Sequence, residues 1–290
     1  MKQILVIGSE GQLGLEIVGR CKALSDAQFT FTSLDTLDVT DLAKLNATIK
    51  EKAYSHVINC TAYTAVDKAE KETELADKIN ASALKEIGLA SAEVGAKVIH
   101  VSTDYVFDGK NHRPYIESDP TEPQSVYGRT KLDGEQYLLS NNPASIILRT
   151  SWLYSKHGNN FVKTMIRLGN ERNELGVIFD QIGSPTYAGN LADVILHIVK
   201  SDINKTILFQ PGIYHYSNEG IASWYDFTLA IHREMDLICK VKPIESSAYP
   251  TPAPRPHYSV MNKSKIKQAY QIEIPHWLDS LKICLKEINN

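Results

Sequence analysis

Tyr127-Gly128-Arg129-Thr130-Lys131 sets a phenol and an ammonium four residues apart. On a helix, positions i and i+4 share one face, one turn above the other. Tyr127 and Lys131 could therefore serve a single reacting atom. A free phenol titrates near pH ~10, and a nearby ammonium favours the phenolate and lowers that value. A phenol tuned in this way suits proton exchange near neutrality, for example protonating a carbonyl oxygen while hydride reaches the carbon. The pair alone is weak evidence, because an exposed helix face gives Tyr and Lys this spacing by chance. Its weight comes from Ser102-Thr103-Asp104, which follows the apolar run 97–101. Hydroxyls there would stand at the carboxyl end of a buried strand, where open α/β sheets bind ligands. Thr103 could hold the same carbonyl oxygen that Tyr127 protonates.

A second set of residues suits a phosphate. The apolar run 3–7 reads as a central strand and leads into Gly8-Ser9-Glu10-Gly11-Gln12-Leu13-Gly14. Gly8, Gly11 and Gly14 permit a tight turn, close approach of backbone to a pyrophosphate, and close helix–strand packing. The helix that follows would aim free N–H groups and its positive end at the phosphate. An ordinary glycine-rich turn is the plain alternative. Asp35 follows the second apolar run, 29–33, twenty-one positions after Gly14. A ribose-binding acid is expected about 20 residues on. Asp38 and Val39 would border the adenine ring. Turn chemistry explains Asp35 and Asp38 equally well, with Thr40 capping the next helix. A third strand, 56–59, ends at small residues, and Ala62, Tyr63 and Thr64 would let the backbone approach the cofactor. Asn80 either bonds backbone near the cofactor or caps a helix.

The elements that must position these groups follow a strand–helix rhythm. Helical patterns at 41–52, 80–94 and 126–140 alternate with strands at 56–59, 97–101 and 146–148. That alternation predicts an α/β fold, a doubly wound parallel sheet of Rossmann type. After Trp152 the rhythm changes. Short helices at 161–169 and 224–235, the latter capped by Ser223, surround a strand at 175–179 and a Gly/Pro turn at 180–187. A proline-rich stretch, 246–256, and two short helical patterns close the chain. Residues 1–152 are expected to form the dinucleotide-binding domain, joined by 186–216. Residues 153–185 and 217–290 would form a smaller C-terminal α/β substrate-binding region over the sheet's carboxyl edge. The loop 104–125 is long for a compact domain, and such loops are usually functional or mobile.

Composition narrows the class. With 43% hydrophobic and 22% charged residues the chain falls among globular proteins. A net charge of −3 gives no basic footprint for nucleic acid. No apolar run reaches the ~18 residues of a membrane span, and the N-terminal run is too short for a signal peptide. Cys21, Cys60, Cys239 and Cys284 are scattered without a Cys-x-x-Cys. They read as the reduced thiols of a cytoplasmic protein.

With these groups set out, the chain resembles the extended short-chain dehydrogenase/reductases. The runs Thr64–Glu70, Ser102–Phe107, Arg149–Trp152, Gly158–Phe161 and Ala248–Pro256 resemble, in order, those of the dTDP-4-dehydrorhamnose reductases. The resemblance implies reduction of the C4 keto group of dTDP-4-dehydro-L-rhamnose by NADPH or NADH, feeding cell-envelope polysaccharide. By the same resemblance Tyr127 matches the catalytic acid/base and Lys131 its partner on cofactor ribose. Thr103 and Asp104 match positions beside the sugar, and Trp152 a substrate-contacting aromatic. The glycine loop with Gln12 and Leu13, together with Asp38, Val39, Ala62, Tyr63 and Thr64, matches cofactor-binding positions. Asn160, at a helix start, and Arg255, among prolines, suit the substrate diphosphate. Their plain alternatives are a helix cap and a solvated charge. Some members are associated with magnesium held by acids between the subunits of a homodimer. Glu16 matches one such acid, but the second position falls around Gly189, so no metal ligand is assigned. A sugar-nucleotide epimerase or dehydratase, and a regulatory subunit that keeps the nucleotide fold, are the rival readings. Arg149–Trp152 argues against the first, and the intact Thr103/Tyr127/Lys131 set against the second.

Overall fold

A computed structural model describes residues 1–289. Six strands form one fully parallel sheet: β1 (Lys2–Ile7), β2 (Ala27–Thr32), β3 (Tyr54–Asn59), β4 (Lys97–Thr103), β5 (Ser145–Thr150) and β6 (Gly212–His215). Their sequences explain their places. The last four residues of β1 and all six of β5 are buried, as strands covered on both faces require. The spatial order is β2-β1-β3-β4-β5-β6, so the winding reverses between β1 and β3. A crevice outside the carboxyl ends at that point is where such sheets bind ligands. The register levels those ends: Ile7 pairs with Thr32 and Asn59, Asn59 with His100, and Thr103 with Thr150.

Helices cover both faces. α1 (Gln12–Arg20), the later α6 (Ala188–Asn204) and the short helix Ser264–Tyr270 bury Leu13, Ile17, Leu191, Ile195 and Ile266 against one face. α2 (Leu42–Lys50), α3 (Ala83–Glu93) and α4 (Val126–Asn141) bury Leu45, Ile49, Ile87 and Leu138 against the other. α2 is capped by Asp41, whose carboxylate accepts from the Lys44 N–H at 3.0 Å, and not by Thr40. Thr40 instead binds Asp38 Oδ1 through its N–H and its hydroxyl at 2.9 and 2.8 Å. α4 is capped by Ser125, which accepts from the Gly128 N–H at 3.1 Å. A buried pair locks α4 to β5: Arg149 reaches Glu135 through Nε at 3.1 Å and Nη2 at 2.7 Å.

The C-terminal region has its own apolar cluster, including Tyr154, Val162, Val177, Phe227, Trp277 and Leu281. α5 (Phe161–Glu171), α7 (Trp224–Glu234) and α8 (Trp277–Asn289) build it. Ser223 and Asp226 form a reciprocal capping box at the start of α7. The strand Glu174–Ile178 pairs in parallel with Lys240–Ile244. This second strand has no counterpart in the sequence reading, because Lys240, Lys242 and Pro243 leave it without an apolar run. The final helix is also longer than expected, at 13 residues. The loop 104–125 is tied down: Phe107 stacks on Tyr115 at 4.2 Å, and the Tyr115 N–H donates to the Val260 carbonyl at 2.9 Å. Among the described residues no helix is long and apolar enough to cross a membrane.

Candidate active site

The turn after β1 is possible only with glycine at two points. Gly8 has φ +81°, and a Cβ there would lie 2.6 Å from the Thr61 methyl. A Cβ on Gly14 would lie 2.3 Å from the Gly8 carbonyl oxygen, so this glycine lets α1 sit close on the turn. Gly11, at the N-cap, contributes no side chain, so the first-turn N–H groups of α1 are free for an anion. Gly11, Gln12 and Leu13 line a cleft of about 560 Å³ at the switch point. Gly8 and Gly14 lie beneath it and shape the turn.

Ala62, Thr64, Thr103, Asp104, Tyr127, Lys131 and Trp152 line the same cleft. Five segments far apart in the chain thus deliver most of the expected site residues to one place. Thr103 Oγ1 donates to Asp104 Oδ1 at 3.0 Å and accepts from the Tyr105 N–H at 3.2 Å. Burial raises the Asp104 carboxyl to about 6, against the pull of that hydrogen bond. Ser102 Oγ and Asp104 Oδ2 are buried without a partner. A cradle that a Cβ would fill, with unpartnered polar atoms beyond it, fits a dinucleotide.

The expected coupling of Tyr127 to Lys131 takes another form here. Removal from water pushes the Tyr127 phenol up to about 12, although the adjacent Thr103 hydroxyl draws it down. Lys131 Nζ does not lower it. It turns instead to His100 Nε2 at 2.9 Å and the Val101 carbonyl at 2.8 Å. Lys131 is 1% exposed, and burial lowers its proton affinity to about 7. Desolvation outweighs the pull of the Thr103 hydroxyl, so in this cleft Tyr127 keeps its proton at neutral pH.

Trp152 has φ +50°, a left-handed conformation uncommon for a bulky side chain. Its ring stacks on Trp224 with centroids 3.5 Å apart and planes 10° apart. Trp224 also lines the cleft. Nothing local announces this beyond Trp224 standing first after the Ser223 cap, because the contact joins two distant segments.

Other expected residues lie outside the cleft wall. Asp35 is exposed in the turn after β2, the strand next to β1. Asp38 caps its own turn, and Val39 is buried in the core with Leu37. Tyr63 is held from behind: its N–H donates to Asn80 Oδ1 at 2.9 Å, and Asn80 Nδ2 donates back to its carbonyl at 3.2 Å. Asn160 is committed within the chain. Its Oδ1 accepts from the Lys163 N–H at 3.1 Å, and its Nδ2 donates to Gln12 Oε1 at 2.9 Å. Its side chain therefore acts as a cap and a brace for the glycine loop, with no side-chain N–H left over for a phosphate. Arg255 lines an adjacent hollow of about 210 Å³ with Tyr105 and Ser125, and pairs with Asp67 at 2.8 Å.

A magnesium ion, for which the sequence reading assigned no ligand, does not fit these residues. Glu16 is buried against Arg20, and burial raises its carboxyl. A Cβ on Gly189 would meet Arg20 Nη2 at 2.4 Å, so a guanidinium fills the space a second acid would need. Among the described residues no group of three or more His, Cys, Asp or Glu could hold a metal.

A doubly wound sheet that offers a dinucleotide cradle and a proton-bearing phenol to one crevice is built as a short-chain dehydrogenase/reductase, a nicotinamide-dependent oxidoreductase. Comparisons narrow this. The family described as RmlD substrate binding domain matches residues 1–290. The dTDP-4-dehydrorhamnose reductase of Escherichia coli (strain K12) is 40% identical over 293 residues, covering 98% of this chain and 97% of that protein. A dTDP-4-dehydrorhamnose reductase structure from Clostridium acetobutylicum has a TM-score of 0.93 at 41% identity, covering 99% of this chain and 100% of that one. One from Bacillus anthracis str. Ames, in complex with NADP, has a TM-score of 0.93 at 36% identity, with the same coverage. The chain belongs to the dTDP-4-dehydrorhamnose reductase family.

Proposed function

We propose that this protein reduces the C4 keto group of dTDP-4-dehydro-L-rhamnose to give dTDP-L-rhamnose, with Tyr127 as proton donor. The observation that carries the reading is the meeting of Thr103 and Tyr127 at the end of the glycine-lined cleft. Bound NADPH or NADH supplies the hydride. The chain's own groups do the rest. Thr103 is set to hold the carbonyl oxygen by a hydrogen bond that strengthens as negative charge develops there. Tyr127, still protonated at neutral pH, is in the state a reduction needs, because the new alkoxide must gain one proton. Trp152 and Trp224 offer a stacked apolar wall for the sugar ring. Arg255, held by Asp67, is the cation available to the diphosphate. The first-turn N–H groups of α1 would hold the cofactor pyrophosphate.

Tyr127→Phe tests the assignment. A positioned proton donor typically contributes ~10²–10⁴-fold. Turnover of dTDP-4-dehydro-L-rhamnose should fall at least about a hundredfold while NADPH binding persists. Near-normal turnover would remove Tyr127 from the chemistry. Stoichiometric consumption of NADPH separates reduction from epimerisation, which returns its cofactor unchanged.

A further inference from the structure

Behind the cleft runs a buried chain of side chains that no step above uses. Asn59 and His100 are both 0% exposed. Asn59 Oδ1 accepts from the Thr61 N–H at 3.1 Å and from the Thr61 hydroxyl at 2.7 Å. A backbone N–H can only donate, so the amide of Asn59 has one orientation. Its Nδ2 then faces His100 Nδ1 at 3.0 Å as a donor. A neutral imidazole carries one N–H and one acceptor nitrogen. With Nδ1 accepting, the proton sits on Nε2, and Nε2 faces Lys131 Nζ at 2.9 Å. An ammonium has three donors and no acceptor. Two donors would oppose each other there, whereas a neutral amine can accept from Nε2–H and donate to the Val101 carbonyl at 2.8 Å.

We propose that Thr61, Asn59 and His100 form a polarised hydrogen-bond chain that presents Nε2–H to Lys131 and stabilises its neutral amine, making His100 a positioning residue for the reaction. The lysine thereby gives up a proton more readily than a solvated ammonium. The proposal rests on the reading of Lys131 as a working member of the site. The groups around the lysine leave room for this effect. On α4 are Tyr127 and Glu135, on β4 His100, just after β4 Asp104, on β5 Arg149, and after β3 Cys60. Glu135, paired with Arg149, pulls the lysine's proton affinity back up, but less than burial lowers it. The Cys60 thiol and the Tyr127 phenol are each pushed up to about 12 by burial, so neither carries charge at neutral pH. Burial holds His100 well below its ordinary range, so it stays neutral.

The experiment uses the ligand-free full chain, so it does not depend on turnover. Long-range ¹H–¹⁵N spectra identify which ring nitrogen of His100 is protonated. The ionisation of Lys131 is followed in protein labelled at lysine Cε, its signal assigned by loss in Lys131→Met. The wild type should carry the proton on Nε2. Asn59→Leu removes the donor to Nδ1 at similar size and adds no charge, which frees the ring to carry its proton on Nδ1 and to accept at Nε2 from an ammonium. It should move the proton to Nδ1 and raise the Lys131 midpoint by roughly one pH unit or more. A chain that merely packs would leave that midpoint in place. A wild-type proton on Nδ1, or an unshifted midpoint in the folded variant, overturns the proposal, and if the variant does not fold the wild-type tautomer alone decides. Loss of activity in Tyr127→Phe bears on the reductase reading and leaves this result untouched.

Discussion

Lys131→Met should stabilise the protein while disabling it. The lysine is 1% exposed, and its proton affinity falls from an ordinary value near 10.4 to about 7 in the fold. The folded state therefore binds fewer protons than the unfolded state between those values. Stability rises with pH across that interval, and the penalty is complete only below the folded value. At 1.36 kcal/mol per unit, the penalty is about 4 kcal/mol at pH 7 and about 2 kcal/mol at pH 9. Methionine has similar length and nothing to desolvate. It loses the contacts to His100 and the Val101 carbonyl, each worth about 1 kcal/mol net. The variant should then gain about 2 kcal/mol at pH 7, and the gain should vanish by pH 9. Urea unfolding at the two pH values measures it, with m unchanged and the midpoint shifted. Other titrating groups cancel in the difference between wild type and variant. A variant less stable at pH 7, with a gap that does not change with pH, would refute the reasoning.

Three further outcomes are expected. Asp35→Ala should shift the NADPH-to-NADH ratio of kcat/KM toward NADPH, since an acid after β2 favours an unphosphorylated ribose; an unchanged ratio would make Asp35 a turn residue only. Arg255→Ala should raise the KM for the dTDP-sugar roughly ten- to a hundredfold, the worth of a charge-assisted hydrogen bond, and leave the NADPH Kd alone; an equal loss of cofactor binding would place the diphosphate elsewhere. Glu135→Leu should lower stability in denaturant titration by about 3–5 kcal/mol by leaving Arg149 buried and unpaired. If instead the loss is under about 1 kcal/mol, the pair does not hold α4 to the sheet.

Much of this was readable from local chemistry. The apolar runs of β1, β3, β4 and β5 announce themselves, as do the glycines before α1 and the Ser223 cap of α7. Ser102-Thr103 at the end of β4 follows from the same rule. What was hidden depends on contacts between distant segments. Asp67 and Arg255 stand 188 positions apart yet share an ion pair. Trp224 reaches the cleft only because the start of α7 stacks against Trp152. His100 lies within an apolar strand, where a lone histidine reads as core, and its role exists only because Asn59 and Lys131 converge on it. The expected lowering of Tyr127 by Lys131 came from spacing, and the desolvation that reversed it is a property of the closed fold. Asn160 was visible as a helix start, but its commitment to Gln12 was not.

The stacked pair Trp152 and Trp224 has an optical consequence. Of the chain's three tryptophans, these two face each other at 3.5 Å in the cleft, while Trp277 is buried in the C-terminal cluster. Indoles so close couple their electronic transitions, which gives a paired band in near-ultraviolet circular dichroism. The same rings lie within energy-transfer range of a reduced nicotinamide in the cleft. The enzyme thus carries an intrinsic reporter, and the dichroic band separates entry of sugar, which would disturb the stack, from entry of cofactor, which would quench its emission and leave the stack in place.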